Sequence, residues 1–274
     1  MRRVVSSIAP TFRYWMQTEV HVYAFSVAAN VLLSFYPFLI VLMSISRIFF
    51  DERTTIATIQ LALRDYFPDS FTSFLYTKGQ HENLPLHHSA ELVSILLLLF
   101  TANGIFEPLE VALNRVWGIA KNRSFFRNQL VSLALILACG TLALLSMALT
   151  ALNRPWDGNF LGLDALFFKM AALPVAVLIL FLVYFFLPNG RPPLNRVIAS
   201  AVIVGLLLEV MKYVNKLWWP WFQHKLESEY RIFQYSVALI FLGFIAAMLV
   251  LAGAEWAARG QSIVKRETEE IAHV

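Results

Sequence analysis

Residues 232–258 read IFQYSVALIFLGFIAAMLVLAGAEWAA, and the one charged side chain in that run is Glu255. Hydrocarbon about 30 Å thick takes roughly 20 apolar residues in a helix to cross, so this stretch is long enough to span a bilayer. Five further stretches behave the same way: 22–50, 92–117, 125–152, 165–187 and 197–221. Lipid offers no partner to backbone N–H and C=O groups, which leaves helices and closed barrels as the spanning structures. Runs this long, without alternation of apolar and polar residues, are not barrel strands. The sequence therefore predicts an all-α, polytopic membrane bundle of six transmembrane helices forming a single integral membrane domain.

Composition agrees. The chain is 58% hydrophobic and 15% charged, against roughly 25% charged in an average soluble domain. A net charge of +4 is modest, and its placement is explained by topology without nucleic acid as a partner. The single cysteine, Cys139, falls inside the third stretch, so an intrachain disulfide is excluded. Met1-Arg2-Arg3 has the charge of a signal n-region. Arg13, Glu19 and His21 interrupt any following h-region, and the first apolar run is too long for a cleaved signal. It reads as a retained span.

Basic residues set the expected orientation. Arg2, Arg3 and Arg13 precede span one; Arg115, Lys121, Arg123 and Arg127 crowd the link between spans two and three. Arg191 and Arg196 lie between spans four and five, and Arg259, Lys265 and Arg266 follow span six. With six alternating helices these regions share one side, so both termini are expected to be cytoplasmic, with 261–274 as a polar tail. Trp156, Trp218, Trp219 and Trp221 fall at the outer boundary, where an apolar ring with a polar N–H favours the headgroup level. The long outer link, 51–88, repeats Ile56, Ile59, Leu63, Tyr66, Phe67, Phe71 and Phe74 at steps of three and four. That is the period of an amphipathic helix, divided at Pro68, either lying on the outer leaflet or covering the bundle.

Ionisable groups in hydrocarbon are expensive and normally face protein or water. Span two holds Asn103, Glu107, Glu110 and Asn114 at spacings of four, three and four, which puts them on one stripe. Pro108 should loosen the helix there. Span five repeats the spacing with Gly205, Glu209, Lys212 and Lys216, with Glu209 and Lys212 close enough to pair along the helix. Asn30 in span one, beside Ser26 and Ser34, and Glu255 in span six are secondary candidates. At 1.5 Å per residue, Glu107 lies roughly 21 Å below the outer boundary and Lys212 roughly 8 Å. The two stripes should not pair. Glu107 and Glu110 should instead meet cations of the cytoplasmic side such as Arg115, Arg127 or Arg196, or water. Two readings fit the stripes: helix-to-helix bonding that holds the bundle together, or the lining of a polar cleft.

Several segments together resemble the YihY / virulence factor BrkB family, also labelled ribonuclease BN-like. They are Leu32-Leu33-Ser34-Phe35-Tyr36-Pro37, Ala112-Leu113-Asn114-Arg115-Val116-Trp117-Gly118, Gly205-Leu206-Leu207-Leu208-Glu209 with Lys212 a turn later, and Gly253-Ala254-Glu255. Their order covers residues 19–259. The chain departs at Ala29, where the family usually has tyrosine, and at Tyr230-Arg231, where it commonly has Tyr-Gly. The resemblance implies a protein of the bacterial inner membrane and a transporter of lipid-like or anionic envelope material.

The ribonuclease label fails on chemistry. Metal-assisted hydrolysis needs clustered His and carboxylate ligands. His81, His87, His88 and His224 fall on the outer side, and neither they nor His21 and His273 show metal-ligand spacing. No Walker A loop or nucleophile elbow occurs. No cofactor, metal or catalytic residue is expected. The leading expectation is a non-enzymatic protein that moves, or helps move, an envelope lipid or anionic molecule, with membrane lipids as partners. The alternative is an envelope scaffold or assembly factor, and the weakest is a membrane-bound nuclease.

Overall fold

The structure, a computed structural model, describes residues 2–49, 59, 88–120, 123–152 and 163–272. The described residues form seven α-helices and no strand: α1 (Arg2–Trp15), α2 (Thr18–Phe49), α3 (His88–Val116), α4 (Phe125–Leu152), α5 (Leu163–Phe186), α6 (Leu194–Tyr230) and α7 (Gln234–Ala272). A single 3-10 turn, Arg231–Phe233, joins α6 to α7. Helices α2 to α7 answer to the six apolar stretches. Four of them, α2, α3, α6 and α7, contain segments long and apolar enough to cross a membrane, while α4 and α5 carry the shorter apolar segments Phe126–Leu142 and Leu173–Phe186. Helix α7 runs on through Ala272, so most of the tail continues the last helix. The outer link lies outside the described residues apart from Ile59, which is helical and buried against Leu39 of α2. Trp156 also lies outside them.

Helix α1 has no counterpart among the apolar stretches. Val5, Ile8, Phe12 and Trp15 recur at steps of three and four, giving a short amphipathic helix. Its 14 residues reach only about 21 Å, too short to cross. It lies across α7 and is pinned there by Trp15, whose Nε1–H donates to the Met248 carbonyl at 3.1 Å.

The remaining helices form a ring. Helix α2 lies between α3 and α7, α7 packs on α6, α6 on α5 and α5 on α4; α4 returns to α3 through the thinnest of these seams. Packing along the ring is uneven. The main core joins Val20, Ala24 and Val27 of α2, Leu109 and Leu113 of α3, Val183 and Tyr184 of α5 with Leu187 just after it, Val197, Ala201 and Val204 of α6, and Met248, Leu251 and Ala254 of α7. All of these lie nearer the end that carries both chain termini. Towards the opposite end, no residue of α6 between Leu206 and Trp218 is buried. There a small cluster of Trp219, Leu226, Ala238, Leu239 and Leu242 holds α6 to α7.

Two glycines allow the closest approaches. Gly253 of α7 lies against Val204 and Ser200 of α6 and Tyr184 of α5. Ser200 Oγ donates to the Gly253 carbonyl at 2.8 Å, and Tyr184 Oη donates to the Val250 carbonyl at 2.7 Å. Gly104 of α3 sits under the Asn30 side chain of α2. Ser26, Asn30 and Ser34 are bonded along α2 itself: Asn30 Nδ2 donates to the Ser26 carbonyl at 2.9 Å and Ser34 Oγ to the Asn30 carbonyl at 2.6 Å.

The turn between α6 and α7 is strained. Arg231 has φ 43° and ψ −104°, a backbone conformation in which a Cβ is crowded. It borders an open cavity of about 750 Å³ with His224, Glu227, Ser228 and Gln234. Glycine occupies such backbone without the Cβ clash, and glycine is the residue the family resemblance would put here. Arg231→Gly should therefore stabilise the protein by about 1 kcal/mol, read as a higher thermal midpoint in detergent. A lower midpoint would show that the turn holds no strain.

Candidate functional site

The α3 stripe runs from the surface of the bundle into its interior. Glu107 is exposed, Asn103 is half-buried, and Glu110 and Asn114 are each 6% exposed. Asn114 ties the stripe to the turn after α5, because its Oδ1 accepts the Asn189 backbone N–H at 2.7 Å. Its Nδ2 reaches Glu110 Oε1 only at 3.5 Å, and Glu110 Oε2 is buried with no hydrogen-bond partner among the described residues.

A cation that feels the Glu110 charge without pairing directly with it is Arg123, in the link between α3 and α4. Its guanidinium donates to three carbonyls at the end of α5: Pro188 at 2.6 Å, Phe186 at 3.2 Å and Leu187 at 3.3 Å. The end of a helix leaves such carbonyls without intrahelical partners, and a planar fork of N–H donors suits them. Desolvation lowers the Arg123 pKa below the usual guanidinium range, while the Glu110 carboxylate opposes the shift and Arg127 adds to it. Of the cations expected to meet this stripe, Arg115 instead pairs with Glu19 of α2, both side chains being more than half exposed. Sequence reading counted Arg123 only towards orientation; what assigns it to the site is the chain reversal that swings it under α5.

The α6 stripe is separate. Helices α3 and α6 are not neighbours in the ring, so the stripes stay apart, as depth alone suggested. Gly205 is packed against Val177 of α5. Glu209 and Lys212 form an ion pair along the helix at 2.7 Å, with both side chains mostly covered. Lys216 is exposed.

Glu255 has a local role. Thr11 of α1 donates to its Oε2 at 2.5 Å, Arg259 donates to Thr11 Oγ1 at 2.9 Å, and Arg259 Nε lies 3.7 Å from Glu255 Oε1. Burial, and after it the Glu255 carboxylate, push the neighbouring Tyr14 phenol above its ordinary range. This group locks α1 onto α7. Thr11, Trp15, Tyr184, Ser200 and Asn189 were not singled out from the sequence. The one signal available for Tyr184 and Ser200 was a polar side chain inside an apolar span, the kind that bonds to a neighbouring helix. Among the described residues no three of His, Cys, Asp and Glu come together as metal ligands.

Residues 11–273 match the family described as Virulence factor BrkB. The chain is 26% identical over 272 residues to a UPF0761 membrane protein of Chlorobium chlorochromatii (strain CaD3), covering 93% of this chain and 59% of that protein. It is likewise 26% identical over 246 residues to a UPF0761 membrane protein of Chlorobium limicola, covering 84% and 52%. A third, from Chromohalobacter salexigens, is 26% identical over 175 residues, covering 62% and 42%. The chain thus spans about half the length of the curated relatives it matches. No solved structure matches it. With nearly its whole length inside the family match, and with apolar helices of spanning length, this chain is a membrane protein of the Virulence factor BrkB family.

Proposed function

We propose that the chain moves, or helps move, a lipid-like or anionic envelope molecule across the bacterial inner membrane, without catalysis and with both termini in the cytoplasm. One observation supports this reading: among the described residues the bonds between helices gather at one end, while α6 has no buried residue between Leu206 and Trp218. The interhelical bonds of Tyr184, Ser200, Asn189, Arg123, Thr11 and Trp15 all fall at the end with the termini. Beyond that closure α6 carries the Glu209–Lys212 pair. Alternating access requires a bundle that shuts at one end while a polar path stays open from the other. In this reading Glu209, mostly covered on α6, lines such a path, and Glu107, exposed on α3, stands at its margin.

Purified protein reconstituted into vesicles, with Glu107→Gln and Glu209→Gln made separately, tests this. Flux should fall about tenfold in each, the loss of one charge-assisted contact of roughly 1.5 kcal/mol, with insertion and thermal midpoint unchanged. Wild-type flux in both variants would remove these residues from a transport path. Lowered midpoints or lost protein partners, with no flux in any form, would favour the scaffold reading instead.

A further inference from the structure

The open cavity at the α6–α7 turn brings together His224, Glu227, Ser228, Arg231 and Gln234, a lining made only of polar residues. Its volume of about 750 Å³ is that of a small-molecule site. Glu227 and Arg231 carry opposite charges four residues apart, yet they form no ion pair. Neither side chain finds another partner among the described residues. Lys225 and Glu229, also four apart, do pair, at 2.9 Å. The difference is that α6 ends at Tyr230, so Arg231 has left the helical face on which such pairs form.

Arg231 is also the one non-glycine among the described residues with a positive φ. Backbone strain of this kind gathers at binding sites, where it holds a side chain in place. Here it holds a guanidinium on the cavity wall with its charge unanswered.

Depth indicates what arrives there. The spanning segment of α7 runs from Gln234 to Arg259, 26 residues or about 39 Å. A bilayer with its headgroups is about 40–45 Å thick. With Arg259 at the closed end, Gln234 and the cavity reach the headgroups of the opposite leaflet. On α6, Trp218 and Trp221 are exposed and stacked at 5.1 Å, one to two turns before His224. Such rings anchor at the same level.

We propose that this cavity binds the zwitterionic headgroup of a phospholipid in that leaflet. Arg231 and the His224 N–H take the phosphate, and Glu227 takes the ammonium. A planar guanidinium suits phosphate oxygens. Glu227 repels a headgroup that is only anionic, and Arg231 repels one that is only cationic. The site lies on a different part of the molecule from Glu107 and goes beyond the transport reading, because retention of a lipid is read without flux.

The test exposes purified protein to micelles with equal phosphatidylethanolamine, phosphatidylglycerol and diacylglycerol, and counts retained lipids by native mass spectrometry. Phosphatidylethanolamine should be kept about fivefold over phosphatidylglycerol, the upper range of one exposed ion pair. Diacylglycerol, which lacks the phosphate, should be lost. Arg231→Gly should keep one phosphatidylethanolamine fewer although its thermal midpoint rises, and Arg231→Lys should retain that lipid. Glu227→Gln should bind the two phospholipids equally; Glu227 is exposed, so this change spares the fold. Equal retention by the unaltered protein, a preference for phosphatidylglycerol, or retention of diacylglycerol would overturn the proposal. So would a full lipid count in Arg231→Gly or an unchanged preference in Glu227→Gln. Displacement of the lipid by an equal concentration of glycerophosphoethanolamine would give the cavity to a free solute instead.

Discussion

Gly253→Val should leave little folded protein. A Cβ at Gly253 runs into the Val204 side chain and lies 3.0 Å from Tyr184 Oη and 3.1 Å from Ser200 Oγ. Val204 is fully buried and β-branched, so it has no alternative rotamer into which to retreat. The two hydroxyls that would have to move are those bonding the Gly253 and Val250 carbonyls. Overpacking of this kind costs about 1–3 kcal/mol, and each buried bond lost adds roughly 1 kcal/mol. We expect a total near 3 kcal/mol or more, seen as a collapse of the monodisperse peak and thermal midpoint in detergent. Gly253→Ala paired with Val204→Ala should recover part of the loss, because the second change vacates the space the first one needs. A wild-type midpoint for Gly253→Val would mean that α5, α6 and α7 do not meet at this residue.

Arg123→Ala should be the next most damaging single change. It removes the donors to the Phe186, Leu187 and Pro188 carbonyls and a positive charge that interacts electrostatically with the buried Glu110. Charged hydrogen bonds are worth about 1.5–3 kcal/mol, so a loss of about 2–3 kcal/mol is expected, measured by thermal or denaturant unfolding. Arg123→Lys should retain only part of this, since an ammonium cannot fork across three carbonyls. The double variant Arg123→Ala with Glu110→Gln should be less destabilised than the sum, because a neutral amide no longer needs the cation. Strict additivity would show that Arg123 serves α5 alone and that Glu110 is neutralised by another group.

The helical period already placed Asn103, Glu107, Glu110 and Asn114 on one stripe, because residues three and four apart share a face whatever surrounds them. It did not say that Glu107 would be exposed while Glu110, one turn on, would be buried. That difference depends on where α4 and the turn after α5 come to lie. The same holds for the partner: Arg115, Arg123 and Arg127 look alike as charges in a loop, yet one pairs with Glu19 and another caps the end of α5. Helix α1 escaped notice because it is too short and too polar for a span, and its purpose shows only in what it grips on α7.

What the chain determined by itself is what the bilayer demands of any chain: long apolar stretches, four of them in described helices long and apolar enough to cross, helical because lipid offers the backbone no partner. The stripes followed from the helical period. Only the tertiary structure decided the order of the ring, the tight closure at the end with the termini, and which carboxylate meets which cation. Those choices depend on which helix lies opposite, and contacts between residues distant along the chain leave no local spacing from which to read them.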